Sequence, residues 1–541
     1  MKQSVSLFLI LLMSCTPRPK VTSDEIFCGH KVVLDDQKKI IPWYEPREKA
    51  YDHFLHKRWD FIKKEVPLSP GPEPRSRYPQ YYFYCAFKVS NDSILPDTWM
   101  NDIGEKIPNW FESARLYYAY SGDASVMKIV RDFVDYTLEH GTSSPSFAWP
   151  NFPYTTTNAG DTIFRGFDSA GRLALHEVHI DHAGDMGLTY FRMYQFTGEK
   201  KYLDHALNVA DLLARNAKTG TETESVWPYR VVMDDGRITA PYGANWSGCF
   251  MLLENLIRAN LGNVDKYRDA RDKARDFILQ FPLETGYWTD GHTDTDVKSN
   301  TYKSNLSASN TALCLFDYPD LDPDWQTDIP QLIKWTEDYF IFRSAPGEPP
   351  TMWGANIVGE QDSFNYKMDY QTARYAAECA RWYAISGDES YKEKAYRSLN
   401  WVTYCSDSSG MAFESPVSKG ILSWWSDCYG ECPRMFYHAF AGVPEWAPPH
   451  ENHILYSEGI LKEVQYRNDE IQYYATGENG TEYLRLAFSP AQITVNGKMI
   501  TSSKELKPDT YIIRDLGKGD YAITILHKNA GEILISGRPL S

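Results

Sequence analysis

A helical hairpin with a short glycine-containing turn recurs along the middle of the chain. Each turn separates two segments that carry the apolar periodicity of an amphipathic helix. The clear turns are 121–123, 197–199, 261–263 and 386–388. Their glycines are 76, 64 and 125 residues apart, and the longest interval leaves room for a weaker copy at 319–324. A repeat of whole hairpins predicts a stack or a ring of α-hairpins.

Helical segments can be placed on both sides of these turns. They are predicted at 110–120, 124–138, 184–196, 201–215, 246–260, 265–279, 309–316, 329–339, 370–385 and 391–401. A helix near 46–65 and a last one at 427–440 bring the number to about twelve.

Twelve helices in six hairpins resemble the (α/α)6 toroid of the six-hairpin glycosidases and of several polysaccharide lyases. The resemblance covers roughly residues 46–445, and it rests on this architecture and on the Ser-Gly-Asp and Thr-Gly-Glu turns. Solenoids of the tetratricopeptide type are the alternative, but their period is about 34 residues and their loops are short on both sides. We therefore expect a toroid at 45–448.

From Pro449 onward the pattern changes to short alternating runs, the signature of β-strands. The runs lie at 463–465, 471–474, 483–488, 493–495, 511–514, 521–526 and 533–535, and Asn-Gly turns separate several of them. They predict an antiparallel β-sandwich at 449–541. The expected fold class is thus mainly α, an (α/α)6 toroid followed by a C-terminal antiparallel β-sandwich that packs against it.

The amino terminus resembles a bacterial lipoprotein signal. Lys2 precedes the apolar run Val5–Met13, and Leu12-Met13-Ser14-Cys15 is similar to a lipobox, which implies lipidation of Cys15. The run is shorter than the roughly 20 residues that span a bilayer, so a transmembrane helix or a plain cleaved signal is the weaker alternative. We expect a signal and lipobox at 1–15, a tether and irregular lead-in at 16–44, and an exported protein that contacts a bacterial membrane only through its lipid anchor, on the periplasmic or cell-surface side.

Net charge, aromatic content and cysteine spacing indicate which kind of ligand the protein binds. The formal net charge of −16 argues against nucleic acid, although a local arginine or lysine can still bind an acidic sugar. Aromatic residues make up 14% of the chain, and their flat rings suit sugar faces. The nine cysteines are scattered and form no zinc-type pair. A glycan substrate is the expected partner, and we expect no cofactor.

The connections between hairpins are long, whereas the turns within hairpins are short. The long segments are about 140–184, 217–245, 281–308, 341–369 and 403–426. Long structureless segments in a compact domain are usually functional. In a toroid they emerge at one end, so that end is predicted to be the mouth of a binding cleft.

The densest polar cluster lies within Ala170–Tyr190, at the entry to a helix. In an extended segment, alternation places Glu177, His179 and Asp181 on one side and His176, Val178, Ile180 and His182 on the other. Gly184 then ends the segment, and Asp185 is expected to cap the helix. A structural hydrogen-bonded cluster is the alternative interpretation. The spacing His176-x2-His179-x2-His182 also suggests a metal site, but Val178, Ile180 and the nearby glycine argue against one continuous helical face, and we expect no metal.

Glycoside hydrolysis needs a proton donor and a second carboxylate. The candidate catalytic residues are Glu177, His179, Asp181 and Asp185 in the cluster, with Asp362 and Asp369 across the mouth. Arg165, Arg172, Arg230 and Lys303 are candidates for binding a sugar carboxylate. Besides Arg172, the candidate substrate-binding residues are His176, Arg165, Arg230, Trp246, Trp288, His292, Lys303, Trp353, Trp424 and Trp425.

The favoured function is a glycoside hydrolase acting on a uronic-acid-containing glycan. By resemblance, the nearest classes are the unsaturated glucuronyl hydrolases and the β-glucuronidases of six-hairpin type. The same acids, histidines and tyrosines suit a polysaccharide lyase that acts by β-elimination. A non-catalytic glycan-binding lipoprotein is the alternative from a different class.

Overall fold

The computed structural model describes residues 21–65, 86–90, 93–96, 102–158, 164–166, 173–289, 303–342, 353–361, 367–415 and 424–538. This part of the chain contains twelve α-helices and nineteen β-strands. None of its helices has the length and the apolar character needed to cross a membrane.

The helices follow the predicted hairpin repeat closely. They are α1 (Ala50–Lys64), α2 (Ile103–Ser121), α3 (Ser125–His140), α4 (Ile180–Thr197), α5 (Lys200–Asn216), α6 (Ser247–Arg258), α7 (Val264–Ile278), α8 (Asn305–Asp317), α9 (Trp325–Tyr339), α10 (Asp369–Ser386), α11 (Glu389–Thr403) and α12 (Asp427–Gly442). The turn glycines Gly122, Gly198 and Gly387 adopt left-handed backbone conformations after α2, α4 and α10, which is why glycine ends these helices.

The even-numbered helices form a closed inner ring. Each packs against the next, and α12 returns to pack against α2. The odd-numbered helices lie outside, with α1 packed against α11 and α12. The predicted (α/α)6 toroid is therefore confirmed, and all six inner helices begin at the same end of the ring.

The long connections meet at the end where the inner helices begin. Strand β6 (Glu177–His179), which precedes α4, pairs with β7 (Arg230–Val232) and β8 (Ile238–Ala240) from the segment before α6. In the same way, β4 (Ala86–Ser90) and β5 (Ser93–Pro96) form a sheet with β9 (Trp424–Trp425), which precedes α12. Strand pairing thus joins the segments before α4 and α6 in one small sheet and those before α2 and α12 in another, at the end where the mouth was predicted.

The lead-in before the toroid is more regular than expected. Strands β1 (Val21–Phe27), β2 (His30–Leu34) and β3 (Ile40–Ile41) form a small antiparallel sheet. Val32 and Ile40 are fully buried, and Ile40 N–H donates to the carbonyl of Trp353 at 2.9 Å. The prediction of an irregular segment up to residue 44 was wrong, because this apolar alternation is buried against the toroid.

The C-terminal β-sandwich was predicted correctly. One sheet has the order β10-β13-β18-β17-β16 and the other β11-β12-β19-β14-β15. The strands are β10 (His453–Ser457), β11 (Leu461–Arg467), β12 (Glu470–Ala475), β13 (Gly480–Leu486), β14 (Gln492–Val495), β15 (Lys498–Met499), β16 (Thr501–Ser502), β17 (Thr510–Gly517), β18 (Asp520–His527) and β19 (Gly531–Ser536). All pairings are antiparallel except that of β16 with β17.

The sandwich packs against the end of the toroid that carries the short turns. Strands β10 and β11 contact α2, and β10 also contacts α12. The ring of His453 stacks on Tyr120 with centroids 4.1 Å apart, and its Nδ1 lies 2.9 Å from the Tyr120 carbonyl. The Tyr118 hydroxyl accepts a hydrogen bond from Val464 N–H at 3.0 Å. The sandwich therefore covers one end of the ring and leaves the other to the long connections.

Two glycines bring α4 and α6 unusually close together. A Cβ on Gly184 would lie 2.3 Å from Cys249 Sγ and 3.0 Å from the Cys249 backbone. A Cβ on Gly248 would lie 1.9 Å from Asp185 Oδ1. Gly184 is thus inside α4, which begins at Ile180, and the prediction that Asp185 caps the helix was wrong.

Gly184→Ala should destabilise the toroid by about 1–3 kcal/mol, because the new methyl group would overpack the contact between α4 and α6. The free energy of unfolding, measured by chemical denaturation, checks this expectation. Adding Cys249→Ala should recover only part of the loss, since the Cys249 backbone remains in place. An unchanged unfolding midpoint in the single variant would show that α4 and α6 can move apart at no cost in stability, and would contradict the expectation.

Candidate functional site

A cavity of about 100 Å³ lies on the axis of the toroid. Every inner helix contributes to its wall, and Tyr456 of β10 contributes from the sandwich. One lining residue from each inner helix, in chain order, is Glu105, Asp185, Met251, Asn310, Arg374 and Arg434. The cavity therefore joins the mouth to the floor that the sandwich provides.

Hydrogen bonds link consecutive inner helices at the mouth of this cavity. Asn245 Nδ2, just before α6, donates to Asp181 Oδ2 of α4 at 3.4 Å. Asn310 Nδ2 of α8 donates to Asn245 Oδ1 at 3.2 Å. Arg374 of α10 donates to Asn310 Oδ1 and forms an ion pair with Glu431 of α12. Polar contacts thus run from α4 to α12.

The same series of contacts closes through α2. Lys106 Nζ lies 2.8 Å from Asp427 Oδ2 of α12 and 3.1 Å from Glu105 Oε2. Asp102 Oδ1, just before α2, lies 3.3 Å from His182 Nδ1 of α4. We call this closed ring the polar belt. Its members are Asp102, Glu105, Lys106, Asp181, His182, Asn245, Asn310, Arg374, Asp427 and Glu431.

Two carboxylates stabilise the protonated, positively charged form of His182. Burial by itself lowers the pKa of this histidine, but Asp181 and Asp102 outweigh burial and raise the pKa to about 10. His182 lines the cavity while remaining almost entirely buried. An imidazolium therefore contributes positive charge to the cavity wall.

Asp185 lies one turn after His182 and reaches the cavity. Burial is the largest cause that raises its pKa from 3.8 to about 7, and the charges of Asp181 and Glu105 act in the same direction, while His182 and Arg434 oppose the rise. A carboxyl group with this pKa holds its proton near neutral pH in a large fraction of molecules. Asp185 is therefore suited to donate a proton.

Four arginines line the cavity, and two of them, Arg115 and Arg192, form ion pairs with Glu112. Burial and the charge of Arg434 lower the pKa of Arg374 to about 9, so Arg374 remains charged at neutral pH. Arg434 is one turn after Glu431 on α12 and is partly exposed. Among the described residues, no carboxylate forms an ion pair with Arg434. Arg434 is thus the cavity guanidinium best able to bind an anionic group.

Of the predicted catalytic residues that the structure describes, only Asp185 lines the cavity, and Asp181 belongs to the polar belt. His179 is buried behind the wall, with its backbone N–H donating to Thr155 Oγ1 at 3.1 Å. Glu177 accepts a hydrogen bond from Ala174 N–H at 2.7 Å and another from the Thr239 hydroxyl. Both contacts are with residues of the rim segments, so Glu177 stabilises the rim and does not line the cavity.

Asp369 is also buried outside the cavity lining. Its Oδ2 lies 3.3 Å from Arg58 Nη2, and its Oδ1 accepts a hydrogen bond from Cys428 Sγ at 3.2 Å. Burial raises its pKa to about 6, against the lowering effect of Arg58. This environment is that of an interior ion pair joining α1 to α10.

The predicted substrate-binding residues are scattered around the rim and the core. Trp246 is buried, with its Nε1 donating to the Gly243 carbonyl at 2.7 Å, and Trp288 is buried as well. His176 Nδ1 lies 2.7 Å from the Tyr154 hydroxyl. None of these three residues lines the cavity.

The cationic and remaining aromatic candidates also lie outside the cavity lining. Arg165 is exposed, and Arg230 is buried with its guanidinium 5.3 Å from the Tyr229 ring centroid. Lys303 Nζ lies 3.8 Å from the Tyr339 ring centroid, and Trp353 packs against Phe27. The candidates whose side chains fall outside the described residues are Cys15, Arg172, His292, Asp362, Trp424 and Trp425.

Sequence reasoning missed the most central polar residues, Glu105, Arg374 and Arg434. The helix containing Glu105 was predicted to begin at 110, so this residue was left in a connection. Arg374 stands in the alanine-rich stretch of α10, together with Glu378. Charged residues within such a pattern are rarely buried without partners, and that signal could have identified a polar lining.

Two groups of side chains bring possible metal ligands within 4.8 Å of one another. One group is Asp102, His179 and His182, and the other is Glu105, Asp427 and Glu431. In the second group, Lys106 and Arg374 already supply the compensating positive charge. The first group is the better candidate for a metal because it offers two imidazoles.

No protein-family profile matches the chain, and no curated protein sequence matches it either. Solved structures do resemble it. A D-mannose isomerase has a TM-score of 0.52 and 12% identity, covering 72% of this chain and 99% of that one. A cellobiose 2-epimerase from Bacillus thermoamylovorans has a TM-score of 0.49 and 11% identity, covering 71% and 98%. An unsaturated glucuronyl hydrolase specific for heparin has a TM-score of 0.44 and 11% identity, covering 73% and 96%. At these identities the likeness to the isomerase establishes the shared toroid fold.

Arg374→Met should destabilise the toroid by about 3–5 kcal/mol, because it leaves the Glu431 carboxylate buried without its ion pair. The double variant Arg374→Met/Glu431→Leu should lose less, since it buries no charge. Chemical denaturation of both single variants and the double variant gives the coupling free energy. A double variant whose loss equals the sum of the single losses would contradict the pairing.

Proposed function

We propose that this protein is a carbohydrate-active enzyme, a glycoside hydrolase that acts on a uronic-acid-containing glycan in the axial cavity. The observation that carries the proposal is that Asp185 shares the lining of that cavity with a second carboxylate, Glu105, and with Arg434. Glycoside hydrolysis uses one protonated and one ionised carboxyl group. The cavity supplies candidates for both roles.

Asp185 is the proposed general acid. It faces the cavity, and its raised pKa of about 7 keeps a proton available near neutral pH. The Asp185 carboxyl also packs against Gly248, where a side chain of any size would displace it. The close contact between α4 and α6 therefore holds the proposed acid in place.

Glu105 is the proposed second carboxylate. It lines the cavity from α2, the inner helix next to α4. Lys106 Nζ lies 3.1 Å from its Oε2, and this positive charge favours the ionised form. An ionised Glu105 could activate water or attack the anomeric carbon, while Asp185 protonates the leaving oxygen.

Arg434 is the proposed partner of the sugar carboxylate. A guanidinium binds a carboxylate through two parallel hydrogen bonds, and Arg434 is available for this contact. It replaces Arg165, Arg230 and Lys303 in that role, because those three lie outside the cavity lining.

A panel of defined substrates tests the reaction class. Loss of enoyl absorbance from unsaturated uronyl disaccharides indicates an unsaturated glucuronyl hydrolase, and release of an aglycone from a β-glucuronide indicates a glucuronidase. New enoyl absorbance from a uronate polymer would indicate a lyase. Interconversion of free sugars without cleavage of a glycosidic bond would indicate an isomerase, which is the activity of the structurally similar D-mannose isomerase. Binding without turnover would favour a glycan-binding protein.

Arg434→Met should lower kcat/KM for a uronide about 10- to 100-fold, because a hydrogen bond to a charged group contributes about 1.5–3 kcal/mol. The matched neutral glucoside, which has no carboxylate, serves as the control and should change less than about threefold. Steady-state kinetics on both substrates checks the prediction. Equal losses on the two would remove Arg434 from carboxylate recognition.

Asp185→Asn should lower kcat at least about 100-fold, since it removes the proton donor. In the wild-type enzyme, kcat should fall as pH rises through about 7, because Asp185 then ionises. Asp204→Asn, on the exposed face of α5, is the matched control and should keep full activity. Full activity of Asp185→Asn would contradict the assignment.

The same carboxyl group gives a test that is independent of activity. Its pKa in the folded protein is above 3.8, so its stabilising contribution is complete below about pH 4 and is lost as pH rises towards 7. Asp185→Asn should therefore gain stability relative to the wild type between pH 4 and 7, by roughly 2–4 kcal/mol. Denaturation curves at several pH values measure this difference.

A further inference from the structure

Asp102, His179 and His182 converge from three separate elements at the wall of the cavity. Asp102 precedes α2, His179 is the last residue of β6, and His182 is in the first turn of α4. All three side chains are buried, and one possible ligand atom from each lies within 4.8 Å of the other two. The fold therefore brings together two imidazoles and one carboxylate.

The separation of two of these atoms fits a metal centre. His182 Nδ1 and Asp102 Oδ1 are 3.3 Å apart. Ligands at about 2.0–2.2 Å from a tetrahedral zinc ion are separated by about 3.3–3.5 Å, the edge of the tetrahedron. This pair thus already has the spacing of two ligands on one zinc ion, and zinc binding would displace the proton that the two carboxylates hold on His182.

We propose that Asp102, His179 and His182 bind a zinc ion at the cavity wall. Two nitrogen donors and one oxygen donor suit Zn²⁺, whereas Ca²⁺ and Mg²⁺ prefer oxygen donors alone. Only His182 of the three lines the cavity, so this residue would connect the ion to that space. The ligand set differs from the histidine triplet considered from sequence, because His176 is bonded to Tyr154 instead.

The surroundings of the two histidines resemble a metal's outer shell. Asp181 Oδ2 lies 3.9 Å from His182 Nε2, on the side of the ring opposite to Asp102. Thr155 Oγ1 lies 3.4 Å from His179 Nδ1, and we assign the other ring nitrogen, Nε2, as the ligand. Metal-binding histidines commonly have such a partner on the second nitrogen, which fixes the orientation of the ring.

An ion at this position would place a Lewis acid one helical turn before Asp185. It would bind an oxygen of a molecule in the cavity, such as a sugar hydroxyl or a carboxylate. The inference does not depend on the proposed hydrolase activity, since an isomerase or a binding protein could use the same site. Metal binding and glycan turnover are therefore separate measurements.

Metal content and affinity test the site directly. The protein is treated with a chelator, dialysed, and titrated with ZnCl₂ by calorimetry, and bound zinc is measured by elemental analysis. The wild type should bind one zinc ion per chain. His179→Ala and His182→Ala should each weaken zinc binding by more than about tenfold, because each removes a direct ligand.

His176→Ala is the matched control, because this histidine lies on the same segment but outside the cluster, and it should bind zinc as the wild type does. Substitution of Co²⁺ into the wild type gives a second readout that needs no variant, since tetrahedral cobalt absorbs strongly in the visible range. Stoichiometric zinc and a tetrahedral cobalt spectrum support the site. A wild type that binds zinc no more tightly than His182→Ala, or a cobalt spectrum without tetrahedral bands, overturns it.

Discussion

The polar belt is the constraint on which the mouth of the toroid depends. A charged side chain can be buried only if a partner compensates for its lost hydration. Here the contacts run from Asp181 through Asn310 and Arg374 to Glu431. The ring closes where Asp427 of α12 pairs with Lys106 of α2. Each link restricts the rotation of two helices about their axes. The same charged side chains therefore fix the packing of the inner helices and set the electrostatic potential of the cavity.

The position of a carboxyl group relative to the polar belt and the helix N-termini also influences its pKa. Six helix N-termini point towards the mouth, and carboxylates in their first turns are stabilised there. Asp185 lies one turn deeper, where burial and neighbouring carboxylates raise its pKa. Burial outweighs the position along the helix in at least one case, since Asp369 is the first residue of α10 and its pKa is nevertheless raised to about 6.

The hairpins, the sandwich and the asymmetry of the connections could be predicted because their signals are local. Turn glycines and apolar periodicity report the backbone of the segment that contains them. The site was harder to predict. Gly184 was interpreted as a helix breaker, whereas it is required inside α4 because α6 approaches it, and that neighbour is distant in sequence. Arg374 was missed for the same reason, since its partners Asn310 and Glu431 come from other helices. Glu105 was missed because α2 begins at Ile103, seven residues before the predicted start.

The position of Tyr456 limits how a polymer can use this cavity. The residue belongs to the sandwich, yet it lines the axial cavity, and its hydroxyl donates to Asp317 of α8 at 2.5 Å. The ring is thus a blind well and not an open tube. Under the proposed function, a glycan would therefore enter from the mouth and present its terminal unit to Asp185, which favours trimming from chain ends over cleavage within the chain.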